Sequence, residues 1–196
     1  MSELNLSDVY PLGKKKRMNG TRRLAREKVL QIFIAWSVCR TDIDELFSHI
    51  FYREFNFDDT HEIEKDKFLR PEEIEEMDSD TRIDWKPESI DFGKELLKLS
   101  IANREKLESL IEEYADNWKL ERIAQIDKAL LIIAATEILD FEDIPPKVSI
   151  NEALEIAKMY STDKSKTFIN GVLDSLLERF KKENMLHKSG RGLKNS

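Results

Sequence analysis

The sequence predicts an all-helical fold of six or seven helices with no β-sheet. Three observations carry that expectation. Only six glycines and five prolines occur in 196 residues, so the middle of the chain is poor in the breakers that tight β-turns need. Apolar residues recur three and four places apart, the period of one helix face, and do not alternate as in a strand. Candidate N-capping residues precede several of these stretches. With 40% hydrophobic residues, the chain can bury one good core or two small ones.

Residues 1–20 contain Pro11, Gly13 and Gly20 and few apolar side chains, and read as a mobile basic extension. Thr21 is a plausible cap for a first helix, because Ala25, Val29, Ile32, Phe33 and Trp36 fall on one helical face. Asp42 with Glu45 resembles a capping box, and Ile43, Leu46, Phe47, Ile50 and Phe51 carry a second helix to about Phe55. From about 58 to 86 the period dissolves into acids (DDTHEIEKD, EEIEEMDSD), the composition of a solvated insertion. Pro87 suits a first helical turn. Ile90, Leu96, Leu97, Leu107, Ile111 and Tyr114 then give one long helix or a helix pair reaching Trp118.

Ile126, Leu130, Ile133, Ala134 and Ile138 mark a helix ending before Pro145 and Pro146, apolar over so broad a surface that most of its sides should be buried. Ser149 and Glu152 form S-x-x-E, a capping box ahead of Ala153, Leu154, Ala157 and Tyr160. STDKSK reads as a polar turn. After it Phe168, Ile169, Val172, Leu173, Leu176, Leu177 and Phe180 define the last helix. Gly171 in its interior costs about 1 kcal/mol against alanine, which suggests close approach of another backbone or of a ligand. Residues 184–196 read as a basic tail.

The net charge of −7 argues against a generic polyanion binder, but the charges are segregated. Lys14 to Lys28 carries a net +7, Asp42 to Asp91 a net −12, and Arg179 to the end a net +5. The lone Cys39 cannot form an intramolecular disulfide and no apolar leader opens the chain, so a reducing cytoplasm is expected. His49, His61 and His187 have no second ligand at helical spacing for zinc. The calcium-loop start at Asp78 and Asp80 fails at Ile83, where glycine is needed. There is no phosphate loop, and the one G-x-G (Gly190, Gly192) lies in the polar tail. No catalytic residues, metal ligands or cofactor emerge, and the protein is expected not to be an enzyme.

The strongest chemical signal is basic. Arg22, Arg23 and Arg26 crowd one helical N-terminal turn with guanidinium forks suited to bidentate phosphate contact. Cations there oppose the helix macrodipole, so helix stability does not explain them. A solvated basic arm, or a nuclear address in KKKR, is the alternative. Lys164, Lys166, Phe168 and Asn170 combine cations, a ring and an amide, a composition suited to single-stranded RNA. Phe168 also fits the apolar stripe of its helix, so its ring serves equally well as core. Trp36 and Trp118 read as core, and Trp85 has no assigned role.

RRLAREKVLQIFIAW (22–36), WKLERIAQIDKALLIIAATEIL (118–139) and IPPKVSINEALEIAKMYSTDKSKTFINGVLD (144–174) resemble the NusB family of transcription antitermination factors. The resemblance implies about seven helices in two packed helical subdomains over 21–183, and a non-catalytic role. Family members pair with NusE, which doubles as a small-subunit ribosomal protein. The pair binds boxA single-stranded RNA so that RNA polymerase passes terminators, notably on ribosomal RNA operons. By position, Arg22, Arg23 and Arg26 match the family's arginine-rich RNA-binding start. Lys164, Lys166, Phe168 and Asn170 match its second RNA-facing region, and Asp127 an acidic position at the partner surface. Ile132 and Thr136 stand where an arginine and a tyrosine are common, which implies an altered partner surface. Three other readings compete: a helical protein-protein adaptor without RNA binding, a helix-turn-helix DNA reader, and a domain related to those fused ahead of ribosomal RNA methyltransferases. The chain is expected to leave no room for a methyl-donor domain.

Overall fold

Thr21 opens the first helix as its sequence predicts: its hydroxyl accepts from the Leu24 amide at 3.2 Å and so satisfies one of the unpaired first-turn donors. In the computed structural model, residues 17–52, 82–114 and 123–193 are described. Among them the chain forms six α-helices: α1 (Arg22–Cys39), α2 (Ile43–Phe47), α3 (Pro87–Tyr114), α4 (Gln125–Asp140), α5 (Pro146–Tyr160) and α6 (Asp163–Lys182). A π-helical turn (Ser48–Tyr52) follows α2, and a 3-10 turn (Gly190–Leu193) follows α6. The anticipated helix pair over 90–118 is one continuous helix through Tyr114. Asp42 caps α2 through the amides of Asp44 and Glu45, but the α-helix stops at Phe47, short of Phe55.

The central element is α4. Every residue from Ala129 to Ile138 is buried, and α1, α3, α5 and α6 all pack against it. That is the expected fate of a helix apolar all round. Ile132 and Thr136 are among these buried residues, so the substitutions they represent lie in the core and not on a partner surface. No helix among the described residues is long and apolar enough to cross a membrane.

Two expectations are corrected. A small parallel sheet exists, in which β1 (Arg17–Gly20) pairs with β2 (Arg82–Trp85), Gly20 opposite Trp85. It takes the last four residues of the supposed mobile extension and a stretch of the supposed acidic insertion. The remaining residues of both lie outside the described ones. Neither strand alternates in hydrophobicity, and the pairing joins distant stretches, so no local pattern signals it. The Trp85 ring stacks on Phe51 at 4.3 Å, and its Nε1 donates to the Phe51 carbonyl at 3.0 Å. It thereby covers Gly20 so closely that a Cβ there would stand 2.2 Å from the ring.

Because that ring is held on two sides, Gly20→Ala is expected to cost about 1–3 kcal/mol, the range for overpacking. The denaturation midpoint read by tryptophan fluorescence measures it. An unshifted midpoint would show the Gly20–Trp85 contact to be dispensable. The second correction concerns the basic tail. Its residues 190–193 form an ordered turn, and Gly192 is buried.

Candidate nucleic-acid interface

Chain entry through β1 and the Thr21 cap fixes the first turn of α1, so Arg22, Arg23 and Arg26 leave it in set directions. They do not share one environment. Arg23 stays 54% exposed and meets the Glu152 carboxylate with both Nε and Nη2 at 2.8 Å. That hydrogen-bonded pairing raises the guanidinium pKa further above its ordinary value and holds the Glu152 carboxyl below its own. Arg22 stays 44% exposed, lies 3.6 Å from Asp143, and its guanidinium sits 5.1 Å from the centre of the Phe92 ring.

Arg26 departs from the expectation. Only 6% exposed, it donates Nε and Nη2 to the two Glu137 oxygens at 2.6 and 2.7 Å. It also lies 3.8 Å from Glu152 and stacks over Phe92. Its first-turn neighbours face outward, while one further turn of α1 aims it at α4. The guanidinium thus ties α1 to the core and is no surface ligand.

The carboxylates that organise these arginines come from α4 and α5. Helix α5 starts at Pro146, whose ring suits an N-terminal turn. Ser149 and Glu152 are therefore inside the helix, and their spacing is that of one helix face, not of a capping box. Ser149 Oγ donates to Glu137 at 2.8 Å, completing the acceptor that holds Arg26, and Glu152 receives Arg23. The same S-x-x-E signal was legible in the sequence with a different meaning.

Thr21, Arg22, Arg23, Asp143, Ile144, Pro145, Val148 and Arg191 line a cleft of about 620 Å³. Val148 is exposed there. Sequence reasoning missed Arg191, which the turn at 190–193 brings to 3.8 Å from Asp143.

Lys164, Lys166, Phe168 and Asn170 all lie in the first two turns of α6 and not in a polar turn. Thr162 caps the helix by accepting from the Ser165 amide at 3.2 Å. Lys164 is exposed and Lys166 half-buried. Phe168 is half-buried against the core edge, so its ring is not sealed inside. Asn170 Nδ2 donates to Asp174 at 2.8 Å. A shallower cleft of about 400 Å³ is lined by Leu154, Asp163, Lys166, Thr167 and Asn170.

Glu155 on α5 is held below its ordinary pKa first by its hydrogen bond from Lys158, and also by the charges of both Arg23 and Lys166. That shared influence places the two basic regions on either side of one face of α5. Gly171 has nothing within 4 Å of where a Cβ would stand, so within this chain no backbone approaches it. Asp127, expected at the partner surface, is 4% exposed. It accepts from Ser161 Oγ at 2.5 Å and ties the end of α5 to the start of α4, because its place in the α4 first turn points inward.

Residues 23–178 match the model of the NusB family. The protein named transcription antitermination protein NusB from Salinibacter ruber is 48% identical over 111 residues, 57% of this chain and 69% of that one. Its namesake from Chloroherpeton thalassium is 52% identical over 103 residues, 53% of this chain and 49% of that one. The chain thus spans from half to about two thirds of the length of these relatives. Among solved structures, T. maritima NusB superposes with a TM-score of 0.60 at 25% identity, over 82% of this chain and 93% of that one. A crystal structure of the antitermination factors NusB and NusE in complex with double-stranded RNA superposes with a TM-score of 0.57 at 18% identity, over 81% and 96%, a likeness of fold.

Proposed function

The chain belongs to the NusB family, and from that premise we propose that it is an RNA-binding transcription antitermination factor. It binds boxA-like single-stranded RNA together with NusE, in the cytoplasm, within the antitermination complex of RNA polymerase and in support of ribosomal RNA transcription. It does so without catalysis. Helices α1–α3 and α4–α6 are its two packed subdomains.

The observation that carries this reading is a pair of half-exposed guanidiniums, Arg22 and Arg23, on one cleft of an anionic body. Across one face of α5 lie Lys164, Lys166 and the half-buried Phe168 ring. Phosphates dock on the cations, and bases stack on what Phe168 presents. Glu152 and Asp143 occupy the arginines in the free protein. Exposed ion pairs are worth little, however, so a phosphate can share or displace the carboxylate.

Those same pairings favour the second reading, a helical adaptor that meets only protein. Fluorescence titration of a boxA-like RNA with and without NusE separates the two. Weak binding alone and much tighter binding with NusE, both falling with salt, are expected. Affinity indifferent to salt, or NusE binding with no RNA uptake at all, would establish the adaptor.

A further inference from the structure

The turn at 190–193 lies beyond the family match, which ends at residue 178, and it is built in a way a solvated tail does not require. After α6, Asn184 takes a left-handed conformation with φ 53°. The Met185 amide then donates back to the Phe180 carbonyl at 2.9 Å, ending the helix and turning the chain. Met185 and Leu186 pack on the core. Lys188 Nζ donates to the Phe141 carbonyl at 2.7 Å, and the Ser189 amide to the Glu142 carbonyl at 3.0 Å.

Two glycines then frame one arginine. Gly190 adopts φ 50°, which favours glycine. Gly192 rests so close to the backbone that a Cβ would stand 1.8 Å from the Glu142 carbonyl oxygen. The G-x-G that carries no nucleotide motif therefore has a steric reason: it seats the segment against the α4–α5 connection. Arg191 between them reaches the Asp143 carboxylate at 3.8 Å, the group that Arg22 meets at 3.6 Å from the other strand of the cleft wall.

Two guanidiniums on one carboxylate leave that corner with a net positive charge. Arg191 is 77% exposed, so most of its five donors face solvent. A planar fork of this kind suits the two free oxygens of a phosphodiester.

We propose that Arg191 is a further binding residue of the cleft, gripping a backbone phosphate of the RNA strand jointly with Arg22. This rests on the RNA-binding reading above and adds to it a contact supplied from outside the family match. Asp143 presets both forks while the cleft is empty. As a contact to backbone, it contributes affinity without sequence preference.

The test compares wild type, Arg191→Gln and Arg191→Lys as full chains with NusE, titrating the boxA-like RNA and an unrelated single strand between 50 and 200 mM salt. Arg191→Gln is expected to weaken both RNAs alike by roughly three- to tenfold, and to make the slope of log K against log salt shallower by about 0.7, one phosphate's share. Arg191→Lys is expected to keep the wild-type slope, since its charge remains. Inorganic phosphate at matched ionic strength should compete weakly with wild type, which distinguishes a strand contact from a free-anion site.

If Arg191→Gln leaves affinity and slope unchanged while lowering the melting temperature, Arg191 is a structural pin and the proposal fails. If wild type itself binds no RNA, the underlying reading fails with it. If Arg22→Ala lowers the slope and Arg191→Gln does not, this inference alone is overturned.

Discussion

Arg26→Ala is expected to destabilise the protein by about 3–5 kcal/mol, the range seen when one partner of a buried ion pair is removed. Its guanidinium and the Glu137 carboxylate are 7% and 1% exposed, joined by two hydrogen bonds. Without Arg26, Glu137 keeps only the Ser149 hydroxyl as a donor, and a charged acceptor in the core of α4 loses most of its compensation. For a chain of this length the melting temperature should fall by roughly 6–20 °C.

Replacing both partners together, Arg26→Met with Glu137→Met, removes the pair and its desolvation cost at once. It should therefore recover most of the loss. RNA affinity of the single variant, measured well below its melting temperature, should remain near wild type because Arg26 does not reach the surface. Normal stability with lost RNA affinity would instead make Arg26 a direct ligand, as its place in the basic cluster first suggests.

Arg26 also shows what a sequence conveys and what it does not. Helical periodicity, the Thr21 and Asp42 caps and the all-apolar α4 are local patterns, and the bundle follows them. The environment of a charge is not local. Arg22, Arg23 and Arg26 look alike in sequence, yet the angle at which α1 crosses α4 sends one into the core and leaves two at the rim.

The S-x-x-E of α5 illustrates the same limit. Three-residue spacing serves a capping box before a helix and a shared face within one, and only the start at Pro146 decides between them. Asp127 reads as surface because acids usually are, but the α5 end packs over it. The β1–β2 pair and the Gly190–Arg191–Gly192 turn rest on contacts between distant stretches. A Trp85 ring over Gly20, or the Glu142 carbonyl under Gly192, leaves no periodic trace. Gly171 is the converse case: its helix cost is visible in the sequence, but no contact within the chain answers for it.

Arg22→Ala combined with Arg23→Ala is expected to lower RNA affinity by roughly 10- to 100-fold at 0.1 M salt and to flatten the salt slope by about 1.4, two phosphates' worth. Both side chains are about half-exposed, so their ion pairs add little to stability. The Thr21 cap stays in place, and removing cations from an N-terminal turn relieves an unfavourable dipole interaction. The helical circular dichroism signal should accordingly be unchanged.

Glu152→Gln should act in the opposite direction. It deletes the charge that occupies Arg23 in the free protein, so a phosphate no longer competes for the guanidinium, and binding should tighten. The two variants together separate electrostatic docking from shape. A double arginine variant with wild-type affinity, alongside an unresponsive Glu152→Gln, would mean that the cleft meets protein and the RNA is held elsewhere. Paired changes of opposite sign can arise only if phosphate and carboxylate contend for the same guanidinium.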